Sequence, residues 1–225
     1  MPRLTVVVPV HNEAAFLPHG LPMLIDATRS VDPDAQIVVV ENGSTDETAA
    51  LVERVGGDTV ELIRLAEADY GSAMREGFLA ATGDWVVNFD IDYFSSAFLD
   101  HVLSASADLV IGSKRDPRSE DRRPFVRRLA TRTFNLLLRT LLGSRVSDTH
   151  GMKGFRREVV SALADRVVSR QDLYDTELVI RAERAGYRIV EVPVVVEELR
   201  AARSSLLARV PRTLRGLLRI RRALS

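Results

Sequence analysis

No cysteine occurs among the 225 residues, which excludes disulfides and every thiolate metal site and fits a reducing compartment. No run of ~18 apolar residues exists, so a transmembrane helix is not expected. The apolar start from Leu4 to Val10 lacks a basic lead and runs straight into His11, Asn12 and Glu13, so a signal peptide is not expected either. Glycine-rich phosphate loops are missing as well. Neither Gly-x-Gly-x-x-Gly nor Gly-Lys-Ser/Thr follows a strand-like run, which sets aside the dinucleotide and P-loop readings. Helical His-x-x-x-His and Glu-x-x-His pairs are absent, leaving His11 and His150 to local packing or bonding.

What remains is an ordinary globular composition, 46% hydrophobic and 28% charged, enough for one α/β domain with a full core. The zero net charge hides an asymmetry. Residues 1–113 carry net −13, 114–145 net +7, 146–199 net −2 and 200–225 net +8. An acidic front half followed by two basic segments suggests two binding surfaces, one for a divalent metal and one for something anionic.

Short β-branched runs at 4–10, 36–41, 59–64, 85–89 and 108–112 alternate with helical patterns near 17–28, 47–55 and 72–81. Repeated βαβ of this kind predicts a mainly parallel sheet covered on both faces. The spacing of Ser44 and Glu47 predicts a capping box that opens the second helix. Behind Gly112 come an Arg-rich loop, a helix over 124–142, a strand over 152–156, helices over 158–164 and 172–185, and a strand over 188–196. Residues 1–198 form the expected domain, with 199–225 as a separate basic tail. In open parallel sheets ligands sit beyond the carboxyl ends of the strands, and three of those ends are acidic here: His11-Asn12-Glu13, Glu41 to Asp46, and Asp90-Ile91-Asp92. Asp90 and Asp92 suit a hard divalent cation that also takes oxygens from a diphosphate.

The motifs Val8 to Glu13, Val40 to Asp46, Gly71 to Gly83, Phe89 to Asp92, Gly112 to Arg115, Asp148 to Arg156, Tyr174 to Leu178 and Gly186 to Pro193, in that order and spacing, resemble glycosyltransferase family 2. Within it they resemble the dolichyl-phosphate mannose or glucose synthases and the polyprenyl-phosphate glycosyltransferases. The resemblance implies a single GT-A type domain with a mainly parallel, Rossmann-like sheet, a nucleotide-diphospho-sugar donor, and Mg²⁺ or Mn²⁺. It places Pro9, Asn12, Glu13, Glu41 and Asn42 at the nucleoside, and Asp90 and Asp92 at ribose and metal. Two departures stand out. Glu41-Asn42-Gly43-Ser44 replaces Asp-Asp-Gly-Ser, and Phe94 replaces a glutamine that adds a metal contact in many lipid-phosphate members.

A lipid phosphate acceptor is already ionised at neutral pH and needs no base; a hydroxyl acceptor needs one, and Asp175 and Glu177 are the candidates. The cations of 114–145 favour the phosphate, with Lys114, Arg115, Arg127, Arg128 and Lys153 as contacts. Few aromatics accompany them, so nucleic acid is not an expected partner. In the tail, a helix beginning at Pro211 sets Arg212, Arg215, Arg219 and Arg222 against Leu214, Leu217, Leu218 and Leu224. That pattern is expected at the inner face of a cytoplasmic membrane; the alternative is docking on an acidic face of its own domain or of a second copy in a homo-oligomer.

Overall fold

A computed structural model describes residues 2–149, 151–170, 173–196 and 206–224. The front half alternates β1 (Leu4–Val10), α1 (Leu17–Arg29), β2 (Gln36–Asn42), α2 (Thr48–Gly56), β3 (Glu61–Leu65), α3 (Tyr70–Leu79), β4 (Trp85–Asn88), α4 (Ser96–Ser104) and β5 (Leu109–Ser113). The back half holds β6 (Glu120–Asp121), α5 (Phe125–Leu142), β7 (Lys153–Arg156), α6 (Arg157–Leu163), α7 (Tyr174–Arg184), β8 (Ile189–Pro193), β9 (Val195–Val196) and α8 (Leu206–Ala223).

Seven strands form one sheet in the order β3-β2-β1-β4-β7-β5-β8. All neighbours are parallel except β7, which runs against both β4 and β5. The pleat sorts β1 between two cores. Leu4, Val6, Val8 and Val10 join Leu17, Leu21, Leu24, Leu51 and Phe98 on one face. On the other, Val7, Val38 and Val40 join Met74, Phe78, Phe155 and Leu178. Helices therefore cover both faces, as the alternation predicts.

Four local expectations change. The residues Ser44 to Glu47 make no capping box: Ser44 Oγ accepts from the Asn12 N–H, and Asp46 Oδ1 takes the Thr48 N–H at the helix start. The helix α4, short and capped by Ser95, was not anticipated. The 114–123 loop is strapped down, because the Glu120 and Arg122 N–H groups donate to the Val194 and Val196 carbonyls. Finally, the tail is not a free appendage. Its helix starts at Leu206 and holds Pro211 inside, and Leu217 and Ile220 are fully buried with Leu138, Leu142, Leu173 and Ile180 of its own domain.

Candidate active site

Two loops at the carboxyl ends of β1 and β2 lock into each other. Asn12 adopts a left-handed backbone, φ 52°, which turns its side chain onto the second loop; its Oδ1 accepts from Thr45 N–H at 2.9 Å. The Glu13 N–H donates to Thr48 Oγ1 at 2.8 Å. Glu41 Oε1 accepts from the Ser44 N–H, and Asn42 Oδ1 from the Asp69 N–H at 2.7 Å. Asp69 in turn caps α3 through the Gly71 and Ser72 N–H groups. Pro9, Asn12, Glu13, Glu41 and Asn42 thus lie along one edge, and several of their oxygens define loop shape. Asp46 is exposed; a small desolvation raises its carboxyl, but hydrogen bonds from Thr48 and Ala14 outweigh that and hold it below its usual range.

Beside this edge β4 ends in a tight turn, with the Tyr93 N–H on the Asp90 carbonyl at 3.0 Å. Asp90 is reached by solvent, yet protein crowds its carboxyl. That desolvation, and then the charge of Asp92, pushes its pKa up to about 6, while Lys153 and Lys114 act in the opposite direction. Asn88 Oδ1 and the Tyr93 hydroxyl, both buried, have no hydrogen-bond partner among the described residues, so polar groups stand ready at this strand end. Phe94 packs on Phe89, ring centroids 6.5 Å apart, and offers no ligand atom.

The reversed strand brings the cations. Because β7 is antiparallel, its first residue, Lys153, pairs with Asn88 at the carboxyl end of β4 and with Ile111 in the middle of β5. Lys153 is wholly buried; its Nζ meets Asp175 Oδ2 at 2.6 Å and the Gly151 carbonyl at 2.8 Å. Lys114 Nζ meets the fully buried Asp148 at 3.2 Å. Burial pulls the Lys114 ammonium below its ordinary range and Asp148 works against that. Gly151 has φ 118°, and a Cβ there would lie 2.7 Å from Lys114 Nζ, so the turn into β7 requires glycine.

Two of the expected phosphate contacts lie inside the fold: Lys114 is paired with Asp148 and Lys153 with Asp175. Glu177 is fully buried and accepts from the Val168 and Ser169 N–H groups and from Arg181, so it braces the loop before α7 instead of serving as a base. Asp175 stands in the cluster, among the charges acting on Asp90. Arg115 and Arg128 are exposed and Arg127 half-buried. His150 lies outside the described residues. Sequence reasoning had quoted Asp148 without giving it a role, and had missed Asn88 and Tyr93; the only signal was their nearness to the Asp90 turn and to Lys153.

No group of three or more His, Cys, Asp or Glu suited to a metal occurs among the described residues. Two hard carboxylates with mutual repulsion nevertheless fit an ion that completes its shell from phosphate and water, as Mg²⁺ sites commonly do.

An α/β sheet reversed beside β4, with a paired carboxylate turn at the end of that strand, has the architecture of a GT-A type glycosyltransferase. A solved structure shares the fold: glucosyl-3-phosphoglycerate synthase from Mycobacterium tuberculosis, in complex with Mn²⁺, uridine-diphosphate-glucose and phosphoglyceric acid. The TM-score is 0.72 at 21% identity, covering 98% of this chain and 80% of that one. Residues 5–164 match the model of Glycosyl transferase family 2, and the chain belongs to that family. Among curated relatives, glycosyltransferase AglD of Haloferax volcanii is 34% identical over 204 residues, which is 85% of this chain but only 32% of AglD. This chain therefore spans about a third of that relative's length. Polyprenol monophosphomannose synthase of Mycolicibacterium smegmatis is 32% identical over 216 residues, 87% of this chain and 78% of that protein. The protein is a glycosyltransferase.

Proposed function

We propose that the protein transfers a sugar, with inversion, from a nucleotide-diphospho-sugar to a polyprenyl phosphate at a membrane surface. The observation that carries this reading is the Asp90 and Asp92 pair, set between the interlocked nucleoside-side loops and the buried Lys114 and Lys153. Asp90 and Asp92 would hold Mg²⁺ or Mn²⁺, which as a Lewis acid stabilises charge on a departing diphosphate. The chain itself supplies the rest. Pro9, Asn12, Glu13, Glu41 and Asn42 shape the nucleoside pocket. Lys153 and Lys114 offset the acidic cluster from behind, so that an anionic donor meets less repulsion than the carboxylates alone would impose. A phosphate acceptor arrives ionised, which leaves no proton for a base to remove. Asp175, engaged by Lys153 and by the Thr176 N–H at 2.8 Å, accordingly has a positioning role here.

The acceptor side is supported by α5. Phe125, Leu129 and Leu136 fall within about 40° of one another at 100° per residue and are 63%, 49% and 60% exposed, with Arg128, Arg132 and Arg139 flanking them. An apolar stripe edged by arginine suits a bilayer interface. No helix among the described residues is long and apolar enough to cross a membrane, and this surface stripe offers contact without crossing. The named activity of the mycobacterial relative agrees with a polyprenyl phosphate acceptor.

The test is transfer of radiolabelled sugar from a panel of nucleotide sugars, with Mn²⁺, into a polyprenyl phosphate. A mild-acid-labile lipid product is expected. Transfer only to hydroxyl acceptors, in a manner abolished by Asp175→Asn, would overturn the phosphate reading.

A further inference from the structure

A pocket of about 380 Å³ opens between the segment leading into α7 and the side of α8, within the size range of small-ligand sites. Ser169, Arg170 and Leu173 line one wall, and Arg212, Arg215 and Arg219 the other. Among the described lining residues none is acidic. Arginines at spacings of three and four share one side of a helix, so Arg212, Arg215 and Arg219 fall on the side of α8 that lines the pocket opposite Arg170, with Arg215 Nε also donating to the Pro211 carbonyl at 3.2 Å.

Several features separate this hollow from an ordinary solvated basic face. Ser169 is 7% exposed, and its hydroxyl has no hydrogen-bond partner among the described residues, a vacancy that a buried polar group does not keep without cause. The residue is also fixed, because its N–H donates to Glu177 Oε2 at 2.9 Å. Glu177 does not neutralise the pocket, since Arg181 already holds that carboxylate at 2.7 Å. The opposite wall is equally fixed by Leu217 and Ile220 in the domain core. Gly216, a poor helix former in mid-helix, is what allows this approach: a Cβ there would stand 2.6 Å from Leu173 Cδ1.

We infer that this pocket is a phosphate-binding site separate from the Asp90 and Asp92 cluster, taking a phosphate group through forked guanidinium contacts and a hydrogen bond donated by the Ser169 hydroxyl. The inference does not rest on glycosyl transfer. The phosphate arrives either free or as a lipid headgroup. A second hollow, of about 370 Å³, shares Arg215 and Arg219 and adds Leu218 and Arg222, so the cationic track continues to the exposed Leu218.

The experiment measures calorimetric binding of inorganic phosphate, and sedimentation with phosphatidylcholine vesicles with and without phosphatidic acid, on the full chain. Arg215→Gln with Arg219→Gln is expected to weaken binding at least ~10-fold, and Ser169→Ala about 10-fold, as for a hydrogen bond to a charged group. Both variants should melt as the wild type does, because neither removes a core side chain. Response to inorganic phosphate identifies a free ligand; response only to phosphatidic acid vesicles, lost in Ser169→Ala, identifies a headgroup; either supports the site. Binding to neither probe overturns it, as does equal binding by all variants. Vesicle binding kept in full by Ser169→Ala and by Arg215→Lys with Arg219→Lys also overturns it, since that result reports charge attraction without a built pocket.

Discussion

Replacing Lys153 by methionine removes the positive half of a pair whose side chains are 0% and 7% exposed. Methionine fills the volume but leaves Asp175 charged and buried, and the loss of one partner from such a pair costs about 3–5 kcal/mol. At ~2–4 °C per kcal/mol for a chain of this size, melting should drop by roughly 6–20 °C. Adding Asp175→Leu should restore most of the loss, because no charge is then stranded. Thermal unfolding of the single and double variants at neutral pH is the assay. A drop of under ~1 kcal/mol, or a double variant no more stable than the single one, refutes the internal counter-charge; lost turnover with unchanged melting would return Lys153 to the acceptor's phosphate.

At the Asp90 turn, Asp92→Asn should abolish metal-dependent donor binding and transfer with little change in melting, measured by calorimetry with Mn²⁺. Near wild-type turnover would remove the carboxylate pair from the chemistry. Since Asp90 titrates at about 6 and a metal binds the ionised form, Mn²⁺ affinity should fall as pH drops through that value, approaching tenfold per unit below it if a single proton competes; a flat profile from pH 7 to 5 would contradict this. Leu217→Ala should cost about 2–5 kcal/mol, read as a lower denaturant midpoint, because α8 is part of the core around Leu138 and Ile180; no change would mean the helix is undocked in solution. Phe125→Glu with Leu129→Glu should leave melting intact and sharply reduce co-sedimentation with anionic liposomes, and undiminished binding would reject α5 as the membrane face.

Much of the sheet was legible because the strands of a buried parallel sheet are nearly continuous apolar runs: β1 and β2 begin where Val-rich segments begin. The direction of β7 was not legible, since a four-residue run carries no mark of polarity and only its pairing with β4 and β5 sets it. The acidic strand ends were visible in the sequence as a candidate site, but the burial of two of the cations beside them was not. Lys114 and Lys153 find partners 34 and 22 residues away, and nothing local distinguishes them from Arg115 or Arg128. Glu177 follows the same logic. Its spacing from Asp175 resembles a pair of candidate bases, yet two residues along a helix face different directions, and one turned to the loop. The tail illustrates a further limit. Its leucine and arginine pattern is equally that of a helix on a bilayer and of a helix on its own domain, and only the contacts of Leu217 and Ile220 separate the two.

The hydrogen bond from the Gly112 N–H to the Met152 carbonyl, 2.9 Å, joins the two places where the chain leaves and re-enters the sheet. The described residues between them make an excursion from the sheet that is closed at its base but not detached. Leu138 and Leu142 of α5 share a core with Leu217 and Ile220 of α8, and the Glu120 and Arg122 N–H groups hold the Val194 and Val196 carbonyls. A change in the packed face of α5 is therefore expected to travel to the C-terminal helix, while β1 to β4, on the far side of the closing bond, keep their registers.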